Sequence, residues 1–245
     1  MSTAQDSVGL VGVLGGMGPL ATIDFMHKVI AATDATRDQD HVPLLVASIP
    51  QMPDRGAAFR GDGPSPLAAM VANGVRLRAA GARLIVMPCN TAHLWFEALQ
   101  GTLDLPMLHL VDAAIDSAVE SIGNDATLGL LCTDATLASG LYVKRAPQIE
   151  WVVPTRAEMQ EQVMPGIAAV KAGELARGSE LLAHAALALA QRGAQALLLG
   201  CTEVPLVLGP HNAPLPVIDA TAALARRVVA WSVAQRERVA ALSPG

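Results

Sequence analysis

Short apolar runs alternate along this chain with longer stretches in which apolar residues recur at helical spacing. The first run, residues 8–14, ends at a Gly/Pro-rich turn, and the apolar residues that follow Pro19 line one face of a predicted helix. Further runs predict strands at residues 42–49, 84–87, 128–131, 150–153, 196–199 and 216–218, and helical patterns cover residues 65–80, 157–172, 179–191 and 221–236. This alternation predicts an α/β fold with parallel sheets flanked by helices.

The second half of the chain repeats the order of the first. A Gly-Ala pair precedes both Cys89 and Cys201 at the same spacing. Two further pairs of segments are similar, residues 11–14 with 128–131 and residues 110–113 with 217–220. The three matches occur in the same order with nearly constant offsets along the chain, which makes a chance resemblance the weaker interpretation.

The repeat predicts two similar lobes related by a pseudo-twofold axis, with the active site in the cleft between them. We expect residues 1–113 and 220–245 to form the N-terminal lobe, because the two termini of a chain often lie close together. Residues 114–219 are expected to form the C-terminal lobe.

Each cysteine of the repeat follows an apolar strand and stands close to a threonine. Ligands of parallel sheets bind beyond the carboxyl ends of the strands, so we expect the thiols of Cys89 and Cys201 to face one another across the cleft. A thiol pKa of about 8.5 lets one thiolate and one thiol act as base and acid on opposite faces of a carbon atom. A buried structural thiol is the alternative for each cysteine, and it is the role predicted for Cys132, which has no counterpart in the repeat.

Composition and charge exclude several functional classes. Hydrophobic residues make up 52% of the 245 residues, and the net charge is −5 without a basic run, which argues against nucleic-acid binding. No apolar stretch reaches the roughly 20 residues of a membrane span, and residues 1–6 lack the basic start of a signal peptide. Three widely spaced cysteines predict neither a disulfide framework nor a metal site. We expect a cytoplasmic protein with no metal and with neither nucleic-acid nor membrane partners.

Five segments of the chain resemble the aspartate/glutamate racemase family. They are Leu-Gly-Gly-Met-Gly-Pro at residues 14–19, Gln-Met-Pro-Asp-Arg at 51–55, Pro-Cys-Asn-Thr-Ala-His at 88–93, Val-Lys-Ala-Gly at 170–173 and Leu-Gly-Cys-Thr-Glu at 199–203. The resemblance covers nearly the whole chain in order, and the opening segment is typical of the aspartate racemase branch.

The resemblance implies a racemase that needs no cofactor, that binds a small acidic amino acid and that forms a homodimer. Cys89 and Cys201 are then the acid/base pair. The implied substrate-binding residues are Met17, Gln51, Arg55, Asn90, Thr91, Lys171 and Thr202, of which Gln51, Arg55 and Lys171 receive the side-chain carboxylate. Supporting positions are Gly16, Thr133, Thr136 and Glu203. The chain departs from the family at residues 134–136, where relatives often have a glycine before the threonine.

The residue types alone leave other roles open for several of these side chains. Arg55 also suits a solvated loop, and Lys171 suits a helix C-terminus. Asn90 and Thr91 also suit a helix cap, and Glu203 can either tune the neighbouring thiol or cap a turn. Helix caps are predicted for Asp112 and Asp219, and His93 is predicted to be a polar side chain with its hydrogen bonds satisfied.

Two other functions fit parts of the pattern. An enzyme of the same superfamily can act on another amino acid, a hydantoin or a related diacid. The paired cysteines argue against those reactions that need only one thiol. A two-lobed protein that only senses an amino acid needs no acid/base pair at all, so solvent deuterium incorporation separates it from a racemase. A thiol redox protein is disfavoured, because thiols that bracket a substrate stand too far apart to join.

Overall fold

The computed structural model describes residues 8–123 and 125–242. The prediction about a signal peptide concerns residues 1–6, which lie outside the described residues. The strands of the described part are β1 Val11–Gly15, β2 Leu44–Ser48, β3 Leu84–Val86, β4 Met107–Leu108, β5 Thr127–Cys132, β6 Glu150–Val152, β7 Ala196–Gly200 and β8 Val217–Asp219. The α-helices are α1 Pro19–Ala32, α2 Arg55–Arg60, α3 Leu67–Ala79, α4 Phe96–Leu103, α5 Leu110–Ile122, α6 Asp134–Ser139, α7 Arg156–Glu158, α8 Met164–Lys171, α9 Leu175–Gln191 and α10 Ala220–Leu242.

The strands form two four-stranded parallel sheets of the same order. The first sheet runs β2-β1-β3-β4 and the second runs β6-β5-β7-β8. In each sheet the first strand in sequence pairs with both the second and the third, and parallel neighbours of this kind need crossover connections, which here contain helices. The predicted α/β fold, with two similar lobes of parallel strands flanked by helices, is confirmed.

The two halves also agree in how their central strands pack. A Cβ on Gly12 of β1 would lie 2.7 Å from Ile85, and a Cβ on Gly129 of β5 would lie 2.9 Å from Leu197. The same two glycine positions are covered by Leu77 and Ala82 in the first half and by Leu189 and Ala194 in the second. Each of the three neighbours of Gly12 is separated from its counterpart around Gly129 by the same number of residues as Cys89 is from Cys201. The halves therefore share one packing scheme around a glycine in the middle of the sheet.

One of the three predicted repeat matches is wrong. Residues 217–219 form β8, but residues 110–112 lie in the first turn of α5. The strand equivalent to β8 is β4, because Met107 pairs with Ile85 as Val217 pairs with Leu197. The true match therefore begins slightly earlier in the first half than the sequence comparison placed it. β4 and the start of α5 are both apolar and lie next to one another along the chain. An apolar pattern alone does not distinguish a two-residue strand from the start of a helix.

The helices follow local capping and proline rules. Pro19 stands at the start of α1, and the Ser65 hydroxyl accepts a hydrogen bond from the Leu67 N–H at the start of α3. The single helix predicted over residues 157–172 is divided by a π-helical turn, Met159–Val163, between α7 and α8. This turn ends two residues before Pro165, whose missing N–H breaks the regular hydrogen-bond ladder. Within residues 8–123 and 125–242, every helix is too short or too polar to cross a membrane.

The last helix returns to the first half of the chain. α10 packs against α1 and α5, and its buried Leu224, Ala225 and Val228 share one apolar core with residues of both sheets. Lys28 of α1 forms an ion pair of 2.6 Å with Asp219, the last residue of β8. The lobe boundaries at residues 113 and 219 stay a prediction, because this shared core is continuous across the sheets.

Candidate active site

A small cavity lies at the carboxyl ends of the central strands of both sheets. Cys89 follows β3 and Cys201 follows β7, and both line this cavity of about 90 Å³. The two side chains are nearly buried, with 6% and 4% of their surface exposed. Clefts that accept drug-sized ligands have volumes of about 300–1,000 Å³, so this cavity suits only a small metabolite. The structure thus brings together the two thiols that the repeat singled out.

The Cys201 thiol is held by the carboxylate next to it. Its Sγ–H donates to Oε2 of Glu203 at 3.1 Å, and the Thr202 hydroxyl donates to the same oxygen at 3.3 Å. Burial raises the pKa of the Cys201 thiol well above its usual value, the charge of Glu203 raises it further, and Lys171 opposes the rise. Cys201 is therefore a protonated thiol in this arrangement, able to act as an acid.

The backbone at Cys89 is anchored by a buried histidine. Nδ1 of His93 donates to the Cys89 carbonyl oxygen at 2.8 Å, and the Leu110 N–H donates to Nε2 of His93 at 3.0 Å. A carbonyl only accepts and an amide N–H only donates, so these two partners determine the neutral tautomer. Burial and the neighbouring His109 lower the pKa of His93 to about 3. His93 is the predicted polar residue with satisfied hydrogen bonds, and it ties the Cys89 strand end to the start of α5.

Two polar residues that follow Cys89 contact the second half of the chain. The Asn90 side chain does not cap the turn Thr91–Trp95; its Oδ1 instead accepts a hydrogen bond from the Tyr142 hydroxyl at 2.5 Å. The Thr91 hydroxyl lies 3.0 Å from the Thr133 hydroxyl and 2.9 Å from that of Thr136. The helix-cap alternative for Asn90 is therefore wrong, and the loop after Cys89 forms part of the junction between the two halves.

The three threonine hydroxyls form a triangle at the cavity. Thr133 and Thr136 are 3.0 Å apart, and Thr133 also caps α6 by accepting from the Thr136 N–H at 3.2 Å. Thr91 and Thr133 line the cavity, whereas Thr136 is buried behind them. Each hydroxyl has one proton and two lone pairs, so the three contacts use all three protons, and the remaining lone pairs can accept from a donor in the cavity.

Two cationic side chains also line the cavity. Arg55, the first residue of α2, donates to the carbonyl oxygen of Pro53 at 2.9 Å, and its buried Nε has no partner among the described residues. Desolvation lowers the pKa of Lys171, but the negative charge around it, first that of Glu203, outweighs this effect, and the net shift is upward. Both residues line the cavity. The site can therefore receive a ligand that carries a carboxylate beyond the one common to all amino acids.

The other predicted site residues differ in their placement. Met17 and Thr202 line the cavity. Gly16 is not among the lining residues; its φ is +85° and the Ile49 backbone lies only 2.5 Å from where a Cβ would stand, so only glycine fits. Gln51 is exposed and is not among the residues that line the cavity.

Several side chains at the site were not predicted. Arg60 and Asp134 line the cavity and form an ion pair of 3.0 Å between α2 and α6, on opposite sides of the junction. Met164 and Ile167 of α8 add apolar surface. Tyr142, which hydrogen-bonds to Asn90, carries a sequence signal of its own, because it is the single tyrosine of a chain with few aromatic residues.

Two predicted helix caps have different outcomes. Asp219 caps α10, since its Oδ1 accepts from the N–H groups of Thr221 and Ala222. Asp112 does not cap α5; His109 does, and Asp112 instead pairs with Arg145 at 2.7 Å.

In residues 8–123 and 125–242 no group of three or more His, Cys, Asp or Glu side chains is arranged to hold a metal ion.

Comparison with known proteins agrees with this geometry. The family model described as Asp/Glu/hydantoin racemase matches residues 14–228. The chain belongs to this racemase family. Among solved structures, an aspartate racemase from Picrophilus torridus is 33% identical with a TM-score of 0.83, and the match covers 91% of this chain and 94% of that one.

Two further racemases show how far the similarity extends. The broad-specificity amino-acid racemase RacX of Bacillus subtilis is 29% identical over 92% of this chain and 99% of its own. A glutamate racemase from Francisella tularensis, determined with D-glutamate, is 16% identical with a TM-score of 0.67, over 94% of this chain and 83% of that one. At that identity the likeness shows the shared fold alone. The protein is thus an isomerase of the amino-acid racemase type.

Proposed function

We propose that this racemase interconverts L- and D-aspartate by moving the Cα proton between Cys89 and Cys201. The observation that carries the proposal is the composition of one cavity, which is lined by both thiols and by the cations Arg55 and Lys171. Two thiols supply the acid and the base, and two cations match a substrate with a second carboxylate.

The proposed reaction requires one thiolate and one thiol. The thiolate of Cys89 takes the Cα proton, so that its S–H bond forms as the Cα–H bond breaks and the electron pair stays on the substrate. The Cys201 thiol then delivers its proton to the opposite face of Cα and becomes the thiolate. Cys201 is assigned the acid role in the resting enzyme because its proton is held by Glu203. Reversal of these two steps racemises the other enantiomer.

The substrate carboxylates are proposed to occupy different parts of the cavity. Arg55 and Lys171 receive the side-chain carboxylate, since a guanidinium binds a carboxylate in a fixed geometry and the unpartnered Nε of Arg55 is available for it. Asn90, Thr91 and Thr202 bind the α-carboxylate and the ammonium group.

A broader amino-acid racemase is the second candidate. The similarity to the broad-specificity enzyme RacX extends over 92% of this chain and favours it. The two functions predict different substrate ranges, because a site built around Arg55 and Lys171 should discriminate strongly against neutral amino acids.

Proton NMR in D2O tests both candidates. Reduced protein without added cofactor is incubated separately with L-aspartate, L-glutamate and L-alanine, and chiral chromatography follows the D-isomers. Exchange of the aspartate Cα proton with appearance of D-aspartate supports the proposal, and comparable turnover of alanine supports the broader enzyme. Binding without exchange would instead indicate a sensor.

Light scattering tests the homodimer that the family resemblance predicts.

A further inference from the structure

The two polar atoms of the Asn90 side chain have different surroundings. Oδ1 is 2.5 Å from the hydroxyl oxygen of Tyr142, whereas the buried Nδ2 has no partner among the described residues. Asn90 lines the cavity and is only 2% exposed. Buried amide donors are normally satisfied, so an unpartnered Nδ2 at a cavity indicates a position for a ligand acceptor.

The orientation of the amide follows from the tyrosine hydroxyl. Tyr142 is 1% exposed, and Asn90 is the acceptor that the structure places beside its O–H. If the amide were reversed, its NH2 group would donate to Tyr142 and the buried tyrosine proton would have no acceptor. An unsatisfied buried donor is unfavourable, so the arrangement with Oδ1 toward the tyrosine is preferred. Nδ2 is then the atom presented to the cavity.

The Tyr142 ring is held on the other side by the strand that leads to Cys201. A Cβ on Gly200 would lie 3.1 Å from Cε2 of this ring, so the ring occupies the space that a side chain at residue 200 would fill. Trp151 packs against the ring edge with centroids 6.0 Å apart. Tyr142 therefore contacts the residue before Cys201 and hydrogen-bonds to the residue after Cys89.

We propose that Tyr142 is a positioning residue that fixes the Asn90 amide with its NH2 group toward the substrate carboxylate. This assignment rests on the proposed function, because it concerns the same cavity and an amino-acid substrate. Without the tyrosine O–H, no donor holds the amide oxygen away from the cavity, and the reversed amide presents an acceptor oxygen to the substrate carboxylate. Substrate binding then weakens, while the two thiols keep their positions.

Kinetics of Tyr142→Phe test the assignment. This variant removes the hydroxyl and retains the ring that packs on Gly200. We expect KM for aspartate to rise roughly tenfold, the equivalent of one hydrogen bond to a charged group, with kcat within about threefold of the wild-type value. An unchanged KM would overturn the assignment, and so would a loss confined to kcat.

A double-mutant cycle separates positioning from a general structural effect. In an Asn90→Ala background the tyrosine has no amide to orient, so adding Tyr142→Phe should change KM by less than about twofold. Full multiplication of the two effects would overturn the assignment. The cycle is informative because a merely structural loss at Tyr142 would persist when Asn90 is absent.

A third variant is informative even if Tyr142→Phe does not fold. Asn90→Asp keeps an acceptor for the tyrosine O–H but places a carboxylate oxygen where Nδ2 stands. We expect KM to rise further than in Asn90→Ala, with a melting temperature at or above that of Asn90→Ala. Weaker impairment than in Asn90→Ala would contradict the assignment. Wild-type protein that exchanges no amino acid would overturn the proposed function as well, whereas active wild type with an unaffected Tyr142→Phe overturns only this inference.

Discussion

The Cys201 thiol donates to the Glu203 carboxylate over 3.1 Å, within the same short turn that follows β7. A carboxylate beside a thiol stabilises the protonated form, because ionisation would place two negative charges together. Lys171 lies close enough to oppose this effect. Glu203 in this turn therefore favours the protonated Cys201 thiol, and Lys171 at the end of α8 favours its ionisation.

Glu203→Gln should make Cys201 easier to ionise. Removal of the negative charge leaves Lys171 to act alone against burial, so the pKa of Cys201 should fall relative to the wild-type protein. The measurement is the pH dependence of iodoacetamide labelling, followed by peptide mass spectrometry at Cys201. Cys132 serves as the internal control, because it is fully buried in the wild-type fold and lies outside the cavity. Labelling of Cys201 with an unchanged or higher midpoint would contradict the role of Glu203.

Replacement of either site thiol should abolish racemisation. Cys89→Ala and Cys201→Ala each leave one acid/base group, so each variant should still exchange the Cα proton of only one enantiomer with D2O. NMR exchange measured from L- and D-aspartate separately distinguishes the two variants. Cys132→Ala is the matched control and should racemise at a rate close to that of the wild type. Full activity in Cys201→Ala would disprove the two-thiol mechanism.

Lys171→Gln should discriminate between substrates. Loss of a charged hydrogen-bond donor costs roughly 1.5–3 kcal/mol, so kcat/KM for aspartate should fall about 10- to 100-fold. Any turnover of alanine should change much less, because alanine has no side-chain carboxylate. Arg177→Gln removes an exposed cation of α9 and provides the control. Equal losses for both substrates would argue against a carboxylate partner at Lys171.

His93 should make the fold sensitive to acid. Its pKa is about 3 in the folded protein against about 6.5 in the unfolded chain, so its stabilising contribution is complete above pH 6.5 and is lost as the pH falls toward 3. As the pH falls from 7.5 to 5, protonation of His93 in the unfolded chain should by itself lower the free energy of unfolding by about 2 kcal/mol.

The variant His93→Asn isolates this effect in urea unfolding. It should be less stable than the wild type at pH 7.5 but should lose less stability on acidification. His184→Asn changes an exposed histidine of α9 and should keep the wild-type pH dependence. An identical acid sensitivity in His93→Asn and the wild type would show that His93 is not the titrating group.

The paired glycines predict equal responses in the two halves. Gly12→Ala and Gly129→Ala each place a methyl group under 3.0 Å from a neighbouring side chain, and each should cost about 1–3 kcal/mol in the free energy of unfolding. Gly101→Ala is the control, because this glycine of α4 has no atom within 4 Å of a new Cβ. That substitution should stabilise the protein by up to about 1 kcal/mol. Tolerance of only one of the two strand substitutions would indicate that the halves pack differently.

The sequence predicted those features that depend on local pattern. Buried strands around Gly12 and Gly129 are continuous apolar runs, and the spacing of Cys89 and Cys201 from the preceding Gly-Ala pairs identified the repeat. These signals are strong because a fully buried parallel strand tolerates few polar residues.

Features that depend on contacts across the junction were missed. Tyr142 reaches Asn90 over a separation of 52 residues, and Arg60 reaches Asp134 over 74. No periodicity encodes such pairs, since they arise only when the two sheets are placed together. β4 escaped prediction for another reason, because two residues are too few to show any alternation.

The return of α10 to the first half has a consequence for synthesis on the ribosome. Leu224 and Val228 fill a core that also contains Val11 and Phe25, which are translated long before them. The first sheet therefore keeps part of its apolar surface uncovered until α10 has been translated. Packing of α10, and not completion of either sheet, completes this shared core.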